Sequence, residues 1–119
     1  MKLSIQATDA EVMCLQCEGK ITQIDLKPGV DPLIQVAGQG VHARPVLLDM
    51  SRCEFMDSSG IGWLVTCQKR FKAQGGRFVL HSLPPLIAQM LKLLRLDQVF
   101  SLASDAVNAR QIAMEEEKA

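Results

Sequence analysis

The chain has 119 residues, with 13 Lys and Arg against 13 Asp and Glu, and 48% of its residues are hydrophobic. This length fits one domain, and the composition excludes a disordered chain, which would combine low hydrophobicity with high net charge. The balanced charge argues against a protein that binds nucleic acid through bulk electrostatic attraction.

The chain is predicted to open with a hairpin. Residues 3–8 alternate between apolar and polar side chains, which is typical of a half-buried strand. Residues 12–17 form a second strand, and the short link between the two suits a turn. Cys14 and Cys17 match C-x-x-C, but on a strand their thiols point to opposite faces. We therefore interpret the four cysteines as reduced core residues rather than as a redox pair or a zinc site.

The middle of the chain leads into a buried strand. Residues 25–44 are rich in Pro and Gly and allow a short helix over about 32–37, where Asp31 can cap the helix and Pro32 suits its first position. The continuous apolar run over 45–50 is typical of a central strand buried on both faces. Such strands lie in partly parallel sheets that helices cover.

Helices and strands alternate through the second half of the chain. The predicted elements are a helix over about 60–74 that stops at Gly75-Gly76, a strand over 77–81, a helix from 82–85 to about 94, an edge strand over 99–102 and a final helix. Ser104 is predicted to cap that final helix, with Asp105 in its first turn. Fraying is expected over about 115–119, because acidic residues oppose the helix dipole there.

Two histidines and one apolar stripe lie outside these signals, and we interpret all three as structural features. His42 lies in a Gly-rich loop and His81 ends a strand, and neither has a visible metal-binding or catalytic partner in the sequence. A wide apolar stripe in the helix that ends near residue 94 is predicted to face the core. Its members are Leu86, Ile87, Met90, Leu91 and Leu94.

The stretch that is richest in functional signals follows the buried strand. Asp57, Ser58 and Ser59 stand at a predicted helix start, where free backbone N–H groups and the helix dipole favour an anion. Gly60 and Gly62 lower the helix propensity of the first turn. Because glycine has no side chain, they would also leave the backbone uncovered, so that another molecule can approach it closely. On residue chemistry alone, the preferred explanation of these polar residues is that they only cap the helix.

The single tryptophan, Trp63, belongs to the same predicted helix. It lies about 160° around the helix from Ile61, which is predicted to face the sheet with Leu64 and Phe71. Trp63 is then partly exposed near Ser58, where an aromatic side chain would serve an interface. Packing against the next helix, over about 84–94, explains the residue equally well.

The run from Val46 to Leu64, V-L-L-D-M-S-R-C-E-F-M-D-S-S-G-I-G-W-L, resembles the STAS domain of bacterial anti-sigma factor antagonists. Their pattern is an apolar strand that ends in Asp, then a short loop and D-S-S/T-G-L-G. The resemblance continues through 75–80, 91–100 and 104–107, so it covers nearly the whole chain. It implies a single α/β STAS domain over residues 1–119, with a mixed sheet of about five strands and about four helices packed mainly on one face.

The resemblance also implies a regulatory switch. In this family the serine directly after the Asp, here Ser58, is phosphorylated by a partner anti-sigma factor that is also a serine kinase. The unmodified domain binds that partner and thereby frees a sigma factor. The phosphorylated domain releases the partner until a phosphatase removes the phosphate. No cofactor is implied. The partner-binding surface would comprise Asp57, Ser58, Ser59, Gly60, Gly62, Trp63 and Thr22.

Two departures from the family pattern lie near this surface. Thr22 stands where the family commonly has Asp, and Asp25 follows three residues later. Residues 23–44 are also longer and richer in Pro and Gly than the usual first-helix region. These departures leave the partner open, and an alternative is a STAS interaction subunit of a stress-sensing complex or a lipid ABC transporter.

Several other classes of protein are disfavoured by the sequence. Ser58 lacks the G-x-S-x-G context of a hydrolase nucleophile, and the chain has no P-loop, so we do not expect an enzyme. The N-terminus has no signal-peptide pattern, and no apolar run approaches the ~18 residues of a membrane span. We therefore expect a cytoplasmic protein that neither inserts into membranes nor binds nucleic acid directly.

Overall fold

The computed structural model describes residues 1–115, so nearly all of the segment expected to fray lies outside the described residues. Strands and helices follow one another largely as the sequence predicts. In chain order they are β1 (Lys2–Thr8), β2 (Met13–Ile21), α1 (Pro32–Ala37), β3 (Pro45–Met56), α2 (Ser58–Gln74), β4 (Arg77–His81), α3 (Pro85–Leu93), β5 (Ser101–Ala103) and α4 (Ala106–Glu115). Short 3₁₀ turns lie at Gln23–Asp25, Val41–Ala43 and Leu96–Gln98.

The strands form one five-stranded mixed sheet in the order β1-β2-β3-β4-β5. The hairpin pair β1–β2 is antiparallel, and every later pair is parallel. At the centre of the sheet, Leu48 lies between Leu15 of β2 and Leu80 of β4, and all three are fully buried. The predicted mixed α/β sheet is therefore confirmed, with β3 as its buried central strand.

Alternate side chains of β3 point into two separate cores. Val46, Leu48 and Met50 belong to the larger core, which α1, α2 and α3 cover. Leu47 faces the other side of the sheet, where it packs with Val79 against α4. Helices therefore lie mainly on one face, as predicted, and α4 alone covers the second face of the sheet among the described helices.

Strands β2 and β3 extend further than their apolar runs suggest. Residues 51–55 are largely polar or exposed, yet β3 continues through them because its backbone pairs with β2 as far as Ile21 and Met56. Backbone pairing thus overrides the local side-chain pattern. As a result, both strands end side by side, directly before Thr22 and Asp57.

The cysteines lie as the strand interpretation predicts. Cys14 packs on the α4 side of the sheet, whereas Cys17 is buried in the larger core, so the two thiols are on opposite faces. Cys17 instead forms a thiol hydrogen bond with Cys53 of β3, and this bond, together with burial, raises the pKa of Cys17. The C-x-x-C pattern therefore does not place its two sulfurs together.

The apolar stripe predicted for α3 is wrong at two of its five positions. Ile87 and Leu91 are fully buried, but Leu86 and Leu94 are 54% and 55% exposed. The contact with the sheet needs only the narrow face that Ile87 and Leu91 provide one turn apart. The wide apolar stripe therefore extends beyond the surface that the core covers.

The sequence also misplaces two boundaries near the C-terminus. Asp105, rather than Ser104, caps α4, because its Oδ1 accepts a hydrogen bond from the Asn108 N–H at 2.8 Å. Strand β5 begins at Ser101, two residues later than predicted, since a 3₁₀ turn ends in hydrogen bonds from the Val99 and Phe100 N–H groups to the Leu96 carbonyl. Strand β5 therefore has three residues and forms one edge of the sheet.

Two adjacent glycines join α2 to β4. Gly75 has a φ of +85° and ends α2 in the left-handed conformation, as the sequence predicts. Gly76 is buried, and a Cβ atom there would lie 2.4 Å from the His42 carbonyl oxygen. The glycine pair therefore lets the 41–44 turn pack against the end of α2.

Within residues 1–115, no helix has both the length and the apolarity to cross a bilayer.

We expect Ala109→Leu to lower the free energy of unfolding by about 1–3 kcal/mol, the usual cost of overpacking a core. Ala109 is fully buried between α4 and the sheet, so extra methylene groups have no space there. Val107→Leu is the matched control, since Val107 is 71% exposed on the same helix. Chemical denaturation measures both variants, and equal stabilities would contradict the close packing of α4.

Candidate functional site

The side chain of Asp57 organises the junction between β3 and α2. Its Oδ1 accepts a hydrogen bond from the Gly60 N–H at 2.9 Å, which caps α2. Its Oδ2 accepts a second hydrogen bond, at 3.2 Å, from the Gln23 N–H in the turn that follows β2. The backbone N–H of Asp57 donates to the Ile21 carbonyl at 3.3 Å. One residue therefore fixes the start of α2 against the end of β2.

The turn after β2 is held by a carboxylate of its own. Thr22 precedes the 3₁₀ turn 23–25, and its N–H donates to Asp25 Oδ2 at 3.2 Å. Its hydroxyl lies 3.4 Å from the same oxygen. Thr22 thus lies at the same junction as Asp57, as predicted, and Asp25 supplies a carboxylate where the sequence departs from the family pattern.

The two serines of the motif occupy different environments. Ser58 is the first residue of α2 and its side chain is exposed. Ser59 is half-buried and lines a groove beside α2. Because the first backbone N–H groups of a helix have no intrahelical acceptor, a negative group on Ser58 would lie next to free donors. Of the two hydroxyls, that of Ser58 is the more accessible to a modifying enzyme.

Gly60 and Gly62 have different structural roles. A Cβ atom at Gly60 would lie 2.5 Å from the Ile21 carbonyl oxygen, so Gly60 allows α2 to approach the end of β2. The uncovered backbone suggested for Gly60 is therefore wrong, because Ile21 covers it. At Gly62 a Cβ would meet no atom within 4 Å, and this residue is exposed. Only Gly62 leaves backbone open to another molecule.

Trp63 is half-buried, consistent with the partial exposure that the sequence predicts. It lines a groove of about 420 Å³ between α2 and residues 26–31, together with Ser59. Ile61 is also half-buried, whereas Leu64 and Phe71 are buried in the core, as predicted. The sequence did not reveal this groove, because its second wall comes from the irregular 26–31 segment.

A second group of side chains lies around Asp31, whose cap on α1 the sequence predicts, but whose contacts with Arg70 and His42 it does not show. Asp31 caps α1 by accepting a hydrogen bond from the Leu33 N–H at 2.9 Å, and its Oδ2 also lies 2.6 Å from Arg70 Nη1 and 3.2 Å from His42 Nε2. His42 is buried and packs edge-on against Phe71, and burial lowers its pKa. Both histidines are buried: His81 makes a 2.9 Å hydrogen bond to the Ser82 hydroxyl. His42 thus has a carboxylate partner that sequence spacing could not show.

The groups present at this junction determine which chemistry it can support. In the part of the chain from residue 1 to 115, no three His, Cys, Asp or Glu side chains are arranged to hold a metal ion. What the junction provides is an exposed hydroxyl at a helix N-terminus, a neighbouring carboxylate and a groove that begins one residue further along α2. A charge added to Ser58 would lie at the helix start and beside this groove.

Comparison with known proteins places the chain in a family. Residues 6–104 match a family model described as "Mlab, STAS domain". A putative anti-sigma factor antagonist from Thermotoga maritima is similar in structure, with a TM-score of 0.73, 22% identity and coverage of 95% of this chain and 92% of that one. An anti-sigma factor antagonist (STAS) domain protein from Planctomyces limnophilus has a TM-score of 0.69, 26% identity and coverage of 93% and 98%.

The fold is also similar to that of SpoIIAA, a Bacillus cell fate determinant, in its phosphorylated form. That comparison has a TM-score of 0.59 and 18% identity, and it covers 98% of this chain and 99% of the other. The matched regions span nearly the whole of both chains in each case, so the similarity concerns the complete sheet with its helices.

Glycine substitutions test the geometry of the junction. We expect Gly60→Ala to lower the free energy of unfolding by about 1–3 kcal/mol, because the new methyl group meets the Ile21 carbonyl. Gly62→Ala is the matched control in the same helical turn, and it should raise stability by up to about 1 kcal/mol through higher helix propensity. Thermal or chemical denaturation measures both, and a destabilised Gly62→Ala with a neutral Gly60→Ala would contradict this geometry.

Proposed function

This chain belongs to the STAS domain family, and we propose that it is an anti-sigma factor antagonist controlled by phosphorylation of Ser58. In this proposal the unmodified domain binds an anti-sigma factor that is also a serine kinase, and so regulates transcription indirectly. Phosphorylation releases the partner, and a protein phosphatase restores the unmodified serine. The observation that supports the proposal most is the exposed position of Ser58 at the start of α2, directly after the Asp57 cap.

The helix start explains how the domain would tolerate the modification. A phosphoserine carries about −1.5 to −2 charges. At the N-terminus of α2 this charge meets the positive end of the helix dipole and unpaired backbone N–H groups. The Ser58 side chain is exposed, so a phosphate there needs no space inside the core. The fold of the domain can therefore remain the same in both states.

The phosphate would instead weaken the complex between the domain and its partner. Within a closed interface the phosphate would lose water, and the Asp57 carboxylate next to it adds like-charge repulsion. A loss of several kcal/mol is reasonable for such a mismatched charge, and ~1.4 kcal/mol corresponds to a tenfold change in affinity. The remaining proposed contact residues are Ser59, Gly62, Trp63 and Thr22, whereas Gly60 is covered by Ile21 and contributes by positioning the start of α2.

A second candidate function uses the same surface without sigma-factor control. In it the domain is an interaction subunit of a stress-sensing complex or a lipid ABC transporter. The feature in its favour is the junction itself, because Thr22 and the Pro- and Gly-rich segment that follows depart from the family pattern beside Ser58. Neither candidate requires catalysis by this chain.

Incubation with the candidate kinase and ATP tests the main proposal. We expect mass spectrometry to locate one phosphate on Ser58 and none on Ser58→Ala. The Ser104→Ala variant is the control, because Ser104 is exposed and lies outside the proposed contact surface, and its Ser58 should still be modified. A phosphate at another residue, or none with a kinase shown to be active on another substrate, would count against the switch.

Partner binding gives a second readout of the same proposal. We expect phosphorylated protein to bind the anti-sigma factor roughly a thousandfold more weakly than unmodified protein, because the desolvated charge is unpaired in the interface. Isothermal titration or surface plasmon resonance measures both affinities. Equal affinities, or binding only to transporter or stress-complex subunits, would favour the second candidate.

A further inference from the structure

The groove between α2 and residues 26–31 extends beyond the Ser58 surface. One wall is a single face of α2, from Ser59 past Thr66 to Arg70. A second cavity of about 350 Å³ follows it and shares Val30, Asp31 and Arg70 with the first. The two cavities therefore adjoin at the Asp31–Arg70 contact, with the first beside Ser59 and the second beside α1.

Charge is unevenly distributed along this groove. Next to Ser58 stands the carboxylate of Asp57, which caps α2, whereas the Asp25 carboxylate is paired with the Met1 ammonium group at 2.9 Å and does not line the groove. Further along, Lys27 is exposed and the Arg70 side chain is 47% exposed. Asp31 is the one carboxylate among the groove-lining residues, but its side chain is only 9% exposed and contacts Arg70. The groove-lining residues therefore expose two cations, Lys27 and Arg70, and one largely buried carboxylate, which gives the groove a net positive charge.

The walls between these charges are largely apolar. Leu26, Pro28 and Val30 lie on the loop side, and Trp63 lies on the helix side. A groove with apolar walls and a few charged groups suits an extended peptide whose apolar side chains alternate with acidic ones. A partner that covers Ser58 would reach this groove without a gap, because Ser59 lines its first part.

Resting on the proposed function, we propose that this groove binds an extended acidic segment of the protein partner. The apolar residues of that segment pack between Trp63 and the 26–30 loop, and its carboxylates lie beside Lys27 and Arg70. This contact adjoins the phosphate-sensitive contact at Ser58 and shares Ser59 and Trp63 with it. It lets the 25–44 segment, where this chain departs from the family pattern, determine which partner is recognised.

A random-peptide display library, selected on the immobilised unmodified protein, tests this proposal. We expect the selected peptides to be rich in Asp and Glu interleaved with apolar residues. Synthetic peptides without tryptophan are then titrated while the fluorescence of Trp63, the only tryptophan in the chain, is recorded. Binding should change this fluorescence and should weaken as salt concentration rises.

Two charge-changing variants of α2 make the test specific. Thr66→Glu adds a negative charge inside the groove, and we expect it to weaken binding by about tenfold or more. Lys69→Glu is the control, because Lys69 is exposed on the same helix and does not line the groove. It lowers the net charge by about two units, against about one for Thr66→Glu, yet binding should change far less. Circular dichroism checks that both variants are folded.

The outcomes separate this proposal from the one on Ser58. Peptides that are not acidic, peptides that bind equally well to Thr66→Glu, or no enrichment over an unrelated immobilised protein would overturn the acidic-segment proposal. None of these results depends on a kinase, so the Ser58 switch could still be correct. Conversely, acidic peptides that occupy the groove would support this proposal even if Ser58 is never phosphorylated.

Discussion

The Asp57 carboxylate is the interaction on which the rest of the site depends. Its two oxygens accept hydrogen bonds from Gly60 at the start of α2 and from Gln23 in the turn after β2. These segments lie together because β2 and β3 end in register, with Ile21 opposite Met56. The carboxylate therefore joins two parts of the chain that are distant in sequence. The position of the adjacent serine at the start of α2 follows from that junction.

The location of the junction explains how a local charge could control binding without a change of fold. A group at the start of α2 is outside both cores, next to free backbone donors and beside a groove that a partner would cover. The helix dipole favours a negative charge on the free domain, whereas a closed interface disfavours it. The same chemical group is thus accepted in one state and rejected in the other.

Much of the fold follows from local sequence signals, whereas the environment of the site depends on contacts between distant segments. The cap at Asp57, the stop at Gly75 and the buried central strand are properties of a few neighbouring residues, so the sequence predicts them. The close approach of Gly60 to Ile21 and the Asp31–Arg70 contact are not local properties, because the two residues of each pair are 39 positions apart in the chain. For the same reason, the sequence could not show how much of the α3 stripe the core leaves exposed.

The most direct test of a local switch compares the amide NMR spectra of the unmodified protein and of protein with phosphoserine installed at position 58. We expect chemical shift changes over residues 57–62 and in the 22–25 turn that Asp57 joins to α2. Amides of the central strands, such as those of Leu15, Leu48 and Leu80, should keep their shifts. Changes spread through the sheet would contradict the account, because the phosphate would then act by altering the fold.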